Sequence, residues 1–170
     1  MKKIISKIFF LLFSISFVYY IANTKTESNS IRIENSINFT KEPFGRTMKM
    51  ISSKKPGIYY FGYQNCPWCV ELQPILDEVL EQNKIKANYT NIKDKNFKDN
   101  YKNQLNKLYA KHVGGNLEVP FLVIIDPERN ISTHVGTLPN HNAIQNKLTH
   151  NEKNKLKSIL NKLVSQNISK

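Results

Sequence analysis

Apolar positions along this chain fall into alternating helical and strand periods. Phe44, Met48 and Ile51 recur at helical spacing, a short amphipathic stretch that ends before the turn Lys54-Lys55-Pro56-Gly57. Ile58 to Tyr63 is an aromatic and β-branched run, which predicts a strand. From Val70 to Glu81, Leu72, Ile75, Leu76, Val79 and Leu80 share one side of a predicted helix interrupted by Pro74. Ile85, Ala87 and Tyr89 alternate with polar residues, as a half-buried strand would. Phe97, Tyr101, Leu105, Leu108 and Tyr109 trace another helical stripe, which Gly114-Gly115 stops. Phe121 to Ile125 is a short apolar run suited to an interior strand. Asp126 to Asn130 is a turn, and Ile131 to Val135 a returning strand. Thr149 and Glu152 form a capping-box pattern ahead of a last helix carrying Leu156, Ile159, Leu160 and Leu163. Between Asn140 and Leu148 the pattern suits a short helix or a loop equally. This order of elements predicts an α/β fold with a mixed central sheet.

The N-terminus reads differently. Lys2, Lys3 and Lys7 precede an uncharged, mostly apolar run from Ile8 to Ala22. That is the layout of an export element, so residues 1–22 are expected to be a signal peptide or a membrane anchor, an N-terminal apolar helix ahead of the fold. Residues 23–37 read as a polar tether, with Ile31 and Ile33 as a candidate edge strand, and residues 38–166 as the folded domain. The positive-inside rule then places the domain outside the cytoplasm, membrane-anchored or secreted.

At 170 residues the chain has room for one domain with a real core. Its formal net charge is +12, yet only Arg32, Arg46 and Arg129 among 25 basic residues are arginines. Dispersed lysines interleaved with asparagines argue against nucleic acid as a partner, because phosphate and base recognition favours arginine. A basic surface suits the neighbourhood of an anionic membrane.

Both cysteines, Cys66 and Cys69, lie in Phe61-Gly-Tyr-Gln-Asn-Cys-Pro-Trp-Cys-Val70. A closed zinc site needs four ligands. His112, His134, His141 and His150 are scattered and read as surface residues, so no metal is expected, and no cofactor. As a staple, a bridge over two residues removes little unfolded-state entropy. Disulfide exchange, by contrast, needs an attacking thiolate and a second thiol within reach. At a helix start residues i and i+3 share a face, so Cys66 and Cys69 can meet. Pro67 suits the first helical position, and the helix N-terminus favours a thiolate at Cys66. Cys66 is therefore read as an exposed nucleophile and Cys69 as a buried resolving thiol. Trp68 has two readings: a packing aromatic, or an apolar landing surface for unfolded substrate, with Tyr63 on the same rim.

Residues Tyr59 to Val79 resemble the active-site strand and helix of the thioredoxin superfamily. Pro74 matches the proline that kinks that helix, Val119-Pro120 matches the superfamily's cis-proline loop, and Gly136 falls where a glycine often ends the following hairpin. The resemblance implies a thioredoxin-like three-layer sandwich. It also implies a cis Val119–Pro120 bond beside the cysteines, with Val119 backbone groups pairing with an extended substrate segment. Pro67 and Trp68 would tune the site. The buried acid that superfamily members carry six residues before the first cysteine is replaced by Tyr60, with Glu71 a weak substitute. Trp68 stands where the strongly oxidising members carry a histidine, which implies a less oxidising couple than theirs.

The function expected is thiol–disulfide exchange with cysteines of protein or peptide substrates, in a direction left open, with a membrane redox partner as a candidate electron source or sink. Exported proteins of this kind include accessory factors for disulfide formation in secreted peptides such as bacteriocins. The alternative is a redox-inert thioredoxin-like binding or secretion-accessory module.

Overall fold

The computed structural model of the chain describes residues 36–168. Within them nine elements follow in order: β1 (Phe39–Lys41), α1 (Phe44–Ser52), β2 (Gly57–Gly62), α2 (Pro67–Gln82), β3 (Ala87–Asn91), α3 (Asp99–His112), β4 (Phe121–Ile125), β5 (Ile131–Val135) and α4 (His150–Ile168). The five strands form one mixed sheet in the order β1-β3-β2-β4-β5. Strands β1, β3 and β2 run parallel, whereas β4 and β5 are antiparallel to their neighbours.

The sheet is covered on both sides, which explains why β2 and β4 read as unbroken apolar runs rather than alternations. On one side Ile58, Tyr60, Leu122 and Ile124 meet Leu72, Leu76 and Leu80 of α2 and Leu156, Leu160 and Val164 of α4. On the other, Tyr59, Phe61, Phe121 and Val123 meet Phe44 and Ile51 of α1 and Leu105 and Tyr109 of α3. The described residues thus make three layers, helices, sheet and helices.

Several expectations shift. The predicted half-buried strand, β3, is covered on both faces, since Thr90 is buried and shares a 2.7 Å hydrogen bond with Thr47 of α1. In α4 the buried positions are Leu156, Leu160 and Val164, a strict i, i+4 row, and Ile159 stands at the surface. The capping box forms: the Thr149 amide donates to Glu152 at 2.8 Å and the Glu152 amide to Thr149 Oγ1 at 3.3 Å. Residues 140–148 form a loop with a single turn closed by the Gln145 and Asn146 amides on the Asn142 carbonyl.

Residues 1–22 and the candidate edge strand at Ile31 and Ile33 lie outside the described residues. The sheet's edges are β1 and β5, and β1, with three residues, is too short for an alternation to reveal it. Ser36, assigned to the tether, is docked instead: its hydroxyl donates to the Asp77 carboxylate of α2, as does the Asn38 amide nitrogen at 3.0 Å.

Candidate functional site

Strand β2 delivers the chain to the first turn of α2, and this junction sets the two sulfurs. Cys66 is the N-cap residue in extended conformation, and Pro67 occupies the first helical position, where its lack of an N–H costs nothing. One turn on, the Cys69 amide donates to Cys66 Sγ at 3.3 Å. The thiols are not bridged.

The two thiols are strongly unlike. A hydrogen bond from the Cys69 thiol, aided by the Cys69 and Trp68 amides, outweighs burial and lowers Cys66 from the ordinary thiol range to about 7. The same bond, with burial, holds Cys69 far above that range. The pair therefore gives up its first proton from Cys66, and the second stays on Cys69.

Cys66 is buried, at 2 % exposure, rather than exposed as the sequence suggested. Its thiol turns inward, toward the α2 amides and the Val119 carbonyl, 3.7 Å away. The Val119–Pro120 bond is cis. The Val119 carbonyl thus faces the thiol, and Val119 itself is half-buried above a buried Pro120.

Trp68 is half-buried, and its indole N–H donates to the His141 carbonyl at 3.2 Å. With Val119, His134, Thr137 and Leu138 it lines an open cleft of about 780 Å³. Tyr63 is also half-buried, and its phenol is held above the ordinary range by burial and by both nearby cysteines. Lys93 Nζ lies 5.6 Å from the centre of its ring. The structure thus gathers Cys66, Cys69, Pro67, Trp68, Tyr63, Val119 and Pro120 at one end of the sheet.

Glu71 does not substitute for a buried acid at Cys69. Its carboxylate is committed elsewhere, to His141 Nε2 at 2.5 Å and to the Leu148 amide at 2.9 Å. Two histidines read as surface residues are also reassigned. The His141 side chain is only 6 % exposed in its pair with Glu71. His134, on β5, is held below the ordinary imidazole range chiefly by burial. His141 has no spacing signal, because its partners Glu71 and Trp68 lie some seventy residues away in sequence.

Gln73 also belongs to the site, and its sequence signal is a polar residue on the apolar face of α2. It is buried, and its amide nitrogen donates to Tyr60 Oη at 3.2 Å. No known protein-family model matches the chain.

Proposed function

We propose that the protein is a thiol–disulfide oxidoreductase with a thioredoxin-like fold, acting on cysteines of protein or peptide substrates outside the cytoplasm. The observation that carries this reading is the placement of the two thiols: Cys66 caps the start of α2 and its Sγ accepts from the Cys69 amide at 3.3 Å, while Cys69 is fully buried one turn on, a placement that lowers Cys66 and raises Cys69. Near neutral pH such a pair holds one nucleophile and one reserve thiol, as exchange requires. A structural bridge has no use for that difference.

With the pair reduced, the Cys66 thiolate attacks a substrate disulfide. A Cys66–substrate disulfide forms and the first substrate sulfur leaves as a thiolate. Cys69 then loses its proton and attacks Cys66 Sγ, releasing the second substrate sulfur and leaving a Cys66–Cys69 disulfide. Two electrons pass to the substrate. The reverse sequence oxidises a substrate dithiol, and either direction requires a second dithiol or disulfide partner to reset the pair. Pro67 and Trp68 tune the pair. Substrate lies along Val119, Pro120, Trp68 and Tyr63, entering from the cleft. Residues 1–22 export the domain or hold it at the membrane.

The test uses the full chain and a protein substrate. Cys69→Ser is expected to accumulate a mixed disulfide visible on non-reducing gels, and Cys66→Ser to form none. If wild type turns over nothing and Cys69→Ser traps nothing, the enzyme reading fails and a redox-inert binding module takes its place.

A further inference from the structure

Gly62 closes β2, and the space beside it is filled by two polar atoms from other residues. A Cβ built there would lie 2.8 Å from Tyr60 Oη and 3.0 Å from Cys69 Sγ. The missing side chain is what lets the phenol and the resolving sulfur converge, and Tyr60 and Cys69 are both fully buried. Gln73, one turn beyond Cys69 on α2, donates to Tyr60 Oη at 3.2 Å. A carboxamide nitrogen only donates, so this bond uses an oxygen lone pair and leaves the phenolic hydrogen for an acceptor. The acceptor beside it is Cys69 Sγ, which crowds the same space at Gly62 and whose ionisation the Tyr60 hydroxyl favours.

We propose that Tyr60 is a catalytic residue of the resolving step, its hydroxyl donating to Cys69 Sγ as that sulfur becomes a thiolate, and that Gln73 is the positioning residue that aims it. This rests on the oxidoreductase reading above.

The need follows from burial. A thiolate formed at Cys69 is closed off from water, so its charge must be met by fixed donors. Once Cys66 is tied up in a mixed disulfide, its thiol no longer bonds Cys69. The remaining polar groups acting on Cys69 are the Tyr60 hydroxyl and the Tyr63 backbone, and both favour the thiolate. Cys66 and Tyr60 are the titratable groups that act directly on Cys69, and the Tyr63 phenol is coupled to it by charge. Glu71, on the same helix, is engaged by His141 and Leu148.

Tyr60 acts as a donor and not as a base. Burial, first, and then the neighbouring Cys69 hold its phenol well above the ordinary range, so its proton stays on oxygen. During resolution the Cys66–substrate bond breaks and the Cys66–Cys69 bond forms. The proton lost by Cys69 balances the one taken up by the departing sulfur, and Tyr60 keeps its own.

The experiment starts from full-length reduced protein carrying a thionitrobenzoate disulfide on Cys66 and follows release of the coloured thiolate against pH. In wild type, release reports the attack of Cys69. Tyr60→Phe is expected to slow it about tenfold or more relative to formation of the mixed disulfide, and to move its pH midpoint upward. Gln73→Leu, which leaves the phenol but not its aim, is expected to shift both in the same direction by less. Should Tyr60→Phe fail to fold, as read by near-ultraviolet circular dichroism, Gln73→Leu alone carries the test. An unchanged ratio of resolution to formation with an unchanged midpoint, in whichever folded variant is measured, overturns the proposal. Because the probe is a small aryl disulfide, a Tyr60-dependent release upholds the proposal even if protein disulfides are never exchanged, and that second failure would sink only the oxidoreductase reading.

Discussion

Cys66 and Cys69 have the same side chain, and what separates them is which atoms face each sulfur. Donors at the start of α2 face Cys66, whereas burial and the shared proton hold Cys69 protonated. That difference sets a pH dependence of stability in the reduced protein. Cys66 ionises at about 7 in the fold, against about 8.5 in an unfolded chain. Between those values the unfolded chain binds more protons, so stability rises with pH, and it is lost as pH falls through about 7. Above about 8.5 the sign reverses, because the unfolded chain ionises the second thiol and the fold does not. The bridged form has neither thiol. The denaturation midpoint of the reduced protein minus that of the oxidised protein should therefore climb from about pH 6.5, peak near about 8.5 and fall beyond it. A flat difference would refute the lowered thiol at Cys66. Little of this was legible beforehand: the motif identifies the sulfurs, but the inward turn of Cys66 onto the Val119 carbonyl comes from a loop some fifty residues away.

At the scale of elements, helix α2 organises the site. The Cys69 thiol, aided by the amides of the helix's first turn, lowers Cys66 only to about 7, a modest stabilisation of the reduced form. Equilibration with glutathione should thus give a potential well below the value of about −120 mV that marks a strong disulfide oxidant. A value near it would contradict this reading. Two residues on one face of α2 also hold the 141–148 loop: Trp68 through the His141 carbonyl, Glu71 through the His141 ring and the Leu148 amide. Removing the carboxylate orphans two partly buried donors. Glu71→Ala should cost about 2–3 kcal/mol in urea denaturation, and Glu71→Gln, which still accepts from Leu148, distinctly less. The helices and strands themselves were readable, from Phe44 at the start of α1 to the capping box of α4, because each carries its own periodicity. The Glu71 pairing was not, since its partners sit seventy residues on in a segment without a period.

For the molecule as a whole, the sheet is the common wall of two apolar clusters. Tyr59 and Phe61 pack into one, Ile58 and Tyr60 into the other, and all four are adjacent on β2. Neither cluster can be lost without exposing the other side of the same strand, so unfolding should be cooperative. Trp68 fluorescence, which reports the site, and far-ultraviolet circular dichroism, which reports the helices, should give superimposable urea transitions. Leu76→Ala, at a fully buried position, should move both together by about 3 kcal/mol, and separate transitions would show that the layers fold independently. The sequence by itself determined the elements from α1 to α4, their order, the mixed α/β class and the cysteine pair at a strand-to-helix junction, because those follow from local periodicity, caps and spacing, which the three residues of β1 are too few to carry. Only the tertiary structure decided that Cys66 is buried, that Glu71 and His141 pair, and that Tyr60 Oη, held by Gln73, meets Cys69 Sγ beside Gly62. Each of these depends on which distant segments close over a position, and the chain's local pattern carries no record of that.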